Sequence, residues 1–118
     1  MNTDFNVLSD QALLVYAETY MDALMQASTQ KDFAVHVSNF SKRLKAMMSP
    51  EWFEQIVTEY QSKKGYFADR QRVAYFRRPD GFAVIWRQTF TQVQGDYVAE
   101  LLLKPEDGDI VVDHVMVF

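Results

Sequence analysis

From about Ser9 to Lys64 the apolar residues recur every three or four positions, and from about Gln71 onward they alternate. The first spacing lines one stripe of a helix and the second lines one face of a strand. A chain that changes period once, in that direction, is expected to fold as helices followed by hairpins. The predicted class is α+β, with N-terminal helices packed on a four-stranded antiparallel meander.

The first helix is expected near Asp10, an N-cap residue type, with Leu13, Ala17, Tyr20, Met21 and Leu24 on its buried stripe. Ser28, Thr29 and Gln30 interrupt it, and Thr29 is placed to cap a short second helix holding Phe33 and Val37. After a break at Ser38, Asn39 and Ser41, a short segment near Lys42 to Met48 brings in Leu44 and Met47. Ser49-Pro50-Glu51 is the clearest helix start: Ser accepts a backbone N–H, Pro occupies a position whose donor is unused, and Glu complements the positive helix end. Phe53, Ile56, Val57 and Tyr60 are its expected buried residues, and Gly65 its stop after Lys63 and Lys64.

Arg78-Pro79-Asp80-Gly81 reads as a type I turn closed by a glycine in the left-handed region, which would set Arg78 opposite Phe82. Further turns fall at Gln94-Gly95-Asp96 and within Pro105 to Asp109. Parity then assigns Ala74, Phe76, Phe82, Val84, Trp86, Gln88, Phe90, Ala99, Leu101 and Leu103 to a helix-covered face. Tyr75, Arg77, Ile85, Arg87, Thr89, Val98, Glu100 and Leu102 fall on the other, mixed face.

The last strand is apolar on both sides, with Ile110, Val112, His114, Met116 and Phe118 against Val111, Asp113, Val115 and Val117. Burial on both faces implies a central strand or cover by another subunit, so a homodimer through the outer sheet face is expected.

The size of 118 residues with 48% apolar content fits one domain, residues 1–118, with a core of its own. Without cysteine there is no disulfide framework or thiolate metal site, and the N-terminus carries neither a signal-peptide pattern nor an apolar span. These features point to a cytoplasmic protein that does not enter membranes. A net charge of −4 argues against nucleic acid as partner, although Arg70, Arg72, Arg77 and Arg78 flank Tyr75 and Phe76 in a way that imitates a base-stacking strand, and Lys42, Arg43 and Lys45 form a second basic group.

Phe40-Ser41-Lys42-Arg43-Leu44-Lys45 leading to Met48-Ser49-Pro50-Glu51, together with the terminal Asp107-Gly108-Asp109-Ile110-Val111-Val112-Asp113-His114, resembles the mid-helix and last-strand segments of the nuclear transport factor 2-like superfamily. The resemblance implies a cone-shaped, cystatin-like α+β fold, a curved sheet around a long first helix, and a ligand-binding pocket between the helices and the concave sheet face. It also implies dimerisation through the outer face, and it would direct His114 inward along with Ile110 and Val112.

A cofactor-independent isomerase or dehydratase acting on an apolar carbonyl compound needs a general base and an oxyanion donor. His114 and Tyr20 are the candidates by residue type, with Asp113 as the neighbour that would point inward if His114 did not. Tyr16, Tyr20, Trp86, Gln88 and His114 are the expected ligand-binding set. A His or Gln on a buried strand is more often part of a satisfied core, and no second histidine joins His114, since His36 lies on the short second helix. Two histidines and no cysteine offer no metal-ligand pattern, Asp107-Gly108-Asp109 lacks calcium-loop spacing, and no phosphate loop or nucleophile elbow occurs, so no cofactor is implied. The reading is a small-molecule-binding or interaction module, with an isomerase or dehydratase as the alternative.

Overall fold

The computed structural model describes residues 4–118. After a short 3-10 turn, Phe5–Val7, come α1 (Asp10–Thr29), α2 (Phe33–His36), α3 (Lys42–Ala46) and α4 (Pro50–Lys64), then β1 (Phe67–Arg78), β2 (Gly81–Phe90), β3 (Tyr97–Glu106) and β4 (Asp109–Val117). The strands form one antiparallel sheet in the order β1-β2-β3-β4. The α+β class and the helices-then-meander order are those expected. Among the described residues no helix is long and apolar enough to cross a membrane.

Local side chains start each helix. Ser9, not Asp10, caps α1 by accepting from the Ala12 N–H at 3.1 Å. Asp32 rather than Thr29 caps α2, because α1 continues through Thr29. Ser41 caps α3, which ends at Ala46 and leaves Met47 exposed instead of packed. Ser49 and Pro50 start α4 as anticipated. Phe53 and Val57 are its buried pair, Ile56 faces solvent, and Tyr60 is half-buried with its hydroxyl 2.7 Å from Ser28 Oγ. Gly65 ends the helix at a φ of 81°.

The first hairpin departs from its expected register. Pro79 and Asp80 form a two-residue turn, so Arg78 opposes Gly81 and Arg77 opposes Phe82. Gly81 does not have positive φ. Its requirement is proximity: a Cβ there would stand 2.5 Å from the Leu103 carbonyl oxygen on β3. With the turn one residue shorter, Tyr75 and Arg77 share the helix-covered face with Phe82 and Val84, while Ala74 and Phe76 move to the outer face. A register shift between Arg72 and Ala74 restores the original parity below it, placing Arg70 and Arg72 beside Gln88 and Trp86.

A second irregularity settles β4. Leu102 opposes His114 but Leu103 opposes Val112, so Asp113 is an extra residue. Ile110 and Val112 face the helices before this bulge, and Val115 and Val117 face them after it. The two-sided apolar pattern is thus one inward face interrupted by a phase change. β4 lies at the sheet edge, where the segment around Phe40 pairs with it: Ser41 N–H donates to the Val112 carbonyl and Val112 N–H to that of Asn39, each at 2.8 Å.

Leu13, Ala17, Met21 and Leu24 of α1 pack against Phe82, Val84, Trp86, Leu101 and Val112 of the inner sheet face. The molecule is 19 Å thick by 42 and 30 Å, about the depth of one helix layer on one sheet. The outer sheet face carries no covering element among the described residues.

Candidate functional site

The residues expected to line an inner pocket are engaged in packing. Tyr20 donates its hydroxyl to the Ile110 carbonyl at 2.8 Å, which ties α1 to β4. Its burial raises the phenol pKa, and the nearby Tyr16 and Asp109 add to the rise. Tyr16 packs edge-on against Tyr20 with ring centroids 6.0 Å apart. Trp86 is buried and donates its indole N–H to Glu18 at 2.8 Å. Gln88 is fully buried, and its amide N–H groups reach the carbonyls of Ala68 at 3.0 Å and Thr89 at 2.9 Å, leaving Oε1 without a partner. The space between helices and sheet is closed by these side chains together with Met21, Leu24 and Leu101.

Of the four arginines of β1 that imitate a nucleic-acid surface, Arg70, Arg72 and Arg77 turn toward α1 instead. Arg70 pairs with Glu18 at 2.8 Å and Asp22 at 2.6 Å, Arg72 reaches Glu18 at 3.5 Å, and Arg77 meets Asp10 at 2.8 Å. Arg70 also stacks over the Trp86 ring. Glu18 therefore collects two guanidinium groups and the indole, a junction that sequence spacing did not reveal because its members lie far apart in the chain.

Asp113 anchors the sheet edge. Its buried carboxylate accepts from Ser41 Oγ at 2.6 Å and Arg43 Nε at 3.1 Å, lies 3.2 Å from Lys104 Nζ, and its carbonyl accepts from Arg43. Burial opposes ionisation, but hydrogen bonds from Ser41, Arg43 and Lys104 outweigh it and hold the carboxyl below its ordinary range. Since Ser41 also caps α3, one carboxylate joins bulge, edge segment and helix.

The extra residue at Asp113 sends His114 to the outer face, away from Tyr20. There the His114 Nε2 lies 2.8 Å from Glu100 Oε1. An ionised carboxylate only accepts, so in this pairing the neutral ring carries its proton on Nε2 and presents a lone pair at Nδ1. Both groups line a depression of about 260 Å³. Its apolar part is Ala83, Ile85 and Leu102, and Arg78 contributes a guanidinium from β1. The depression forms where Ala83, a small side chain, lies between Phe76 and Leu102 on the outer face. Arg78 has its Nε 3.5 Å from Asp80, a long contact that leaves most of its donors unused. Neither Arg78 nor Glu100 belongs to the expected ligand-binding set, although Arg78 stands among the arginines around Tyr75 and Phe76; placing them together requires the hairpin register. Among the described residues no group of three or more His, Asp or Glu is arranged to hold a metal ion.

No protein-family model and no curated protein matches this chain. Among solved structures it is similar to the solution structure of a SEC-C motif containing protein from Rhodopseudomonas palustris, with a TM-score of 0.60 and 12% identity over 84% of this chain and 76% of that one. At that identity the likeness shows a shared fold: helices leading into an antiparallel meander.

Proposed function

We propose that the protein is a small-molecule-binding module whose working surface is the outer sheet face, within a nuclear transport factor 2-like fold and in the cytoplasm. The observation that carries this reading is the contrast between the two sides of the sheet. The inner side is packed with side chains, while the outer side offers a depression where Arg78, Glu100 and His114 converge over an apolar floor. The isomerase or dehydratase alternative loses its paired groups, because His114 and Tyr20 stand on opposite sides of the sheet and the Tyr20 hydroxyl already serves Ile110.

The same face also supports self-association. Val98, Met116 and Phe118 are 36%, 50% and 57% exposed at the end of the face opposite the Arg78 turn. Arg87 is paired with Asp96 and Lys104 with Asp113 within the chain, so at these positions two copies meet without like-charge repulsion. Native mass spectrometry of gently purified protein tests the binding reading. A defined extra mass that disappears in an Ala83→Leu variant, which fills the depression, is the expected result; an extra mass unaffected by Ala83→Leu counts against the outer-face site.

A further inference from the structure

Resting on the outer-face reading, we infer that the depression takes a small zwitterion, an amine and a carboxylate joined by a short apolar chain. The volume of about 260 Å³ lies just below the range typical of drug-sized pockets, roughly 300–1,000 Å³, and limits the occupant to a compact metabolite. The depression is polarised across the strands. Arg78 projects from β1, while Glu100 on β3 and His114 on β4 stand on the far side, with Ala83, Ile85 and Leu102 between them. Arg78 and Glu100 lie two strands apart and four residues apart along them, roughly 16 Å between backbones, and both side chains line the depression, leaving room for a few methylenes between their charges.

The available hydrogen-bonding groups follow the same polarity. Arg78 offers N–H donors to a carboxylate, and its planar guanidinium suits that group in two-bond geometry. On the opposite wall, the Glu100 carboxylate and the Nδ1 lone pair of His114 both accept, which matches the N–H donors of an ammonium. A simple anion satisfies Arg78 but approaches Glu100, and a simple cation meets the reverse conflict. A dipolar molecule satisfies both walls while its carbon chain covers the apolar floor.

The test uses the full chain and three matched probes: 5-aminopentanoate, pentanoate and pentylamine. Binding is followed through amide chemical shifts, with perturbations expected at Ala83, Leu102 and His114. 5-Aminopentanoate is expected to bind roughly ten- to a hundredfold more tightly than either truncated analogue. Arg78→Gln should erase its advantage over pentylamine, and Glu100→Gln its advantage over pentanoate, with melting temperatures near that of the unmodified protein. Equal binding of all three probes at these amides overturns the zwitterion and leaves the depression a binding site. No shift there with any probe overturns the zwitterion, and a native spectrum without bound mass would then remove the site as well.

Discussion

His36 is the imidazole that the packing keeps neutral. It sits between the rings of Phe40 and Phe53, at centroid distances of 5.4 and 4.6 Å, and its Nδ1 is buried without a partner. Burial lowers its pKa from 6.5 to about 4. The folded value lies below the unfolded one, so its contribution to stability is complete above pH 6.5 and is lost as the pH falls toward about 4. Between about pH 7.5 and about pH 5 the loss should amount to roughly 2 kcal/mol. In His36→Phe, urea unfolding at those two pH values should show a correspondingly smaller difference; an unchanged difference would assign the acid sensitivity to another group. Asp113 acts at lower pH by the same sign: its charge stabilises the fold above the unfolded carboxyl value, and that support fades as the pH drops through its depressed folded value. Asp113→Asn keeps an acceptor for Ser41 but leaves Arg43 and Lys104 facing a neutral amide, and should cost about 1–3 kcal/mol in urea titrations near neutral pH.

The elements differ in how openly the chain declares them. Ser49-Pro50 and its helix could be read directly, because a cap and its first turn are neighbours in sequence. So could the turn at Asp107 and Gly108, whose φ values of 52° and 83° suit those residue types. Strand faces were legible only between irregularities. On β2 and β3 the alternation of Phe82, Val84, Trp86 and of Ala99, Leu101, Leu103 gave the buried side correctly. On β1 it failed beyond Val73 because the hairpin turn is one residue shorter than expected, and on β4 beyond Asp113 because that bulge is held by distant partners, Ser41 and Arg43, some seventy positions earlier. That failure also hid the candidate site, which exists only in the observed register. Glu18 is a further long-range junction, joining α1 to β1 and β2 through Arg70, Arg72 and Trp86. Glu18→Ala should destabilise the fold by about 1–3 kcal/mol, whereas Glu18→Gln, which retains an oxygen for the indole, should lose less; equal losses would show that charge, not the indole bond, dominates there.

At the scale of the whole molecule, a two-layer body leaves one broad sheet face open, and that face has both a depression and an apolar margin. Sedimentation equilibrium at tens of micromolar is expected to report a dimer, and Met116→Glu to shift it to monomer while preserving the fold. A monomer under those conditions would confine the outer face to small-molecule binding. The bulge at Asp113 adds a different kind of consequence. Like a half-step inserted into a two-beat rhythm, it inverts which side every later residue of β4 occupies. Were β4 to run on without the bulge, with Asp113 taking its turn in the alternation, His114 and Val115 would trade places, moving an imidazole across the sheet without altering its chemistry. The distinction between a ligand-facing and a core-facing histidine in this architecture is thus a matter of phase, kept by one carboxylate and the hydroxyl that holds it.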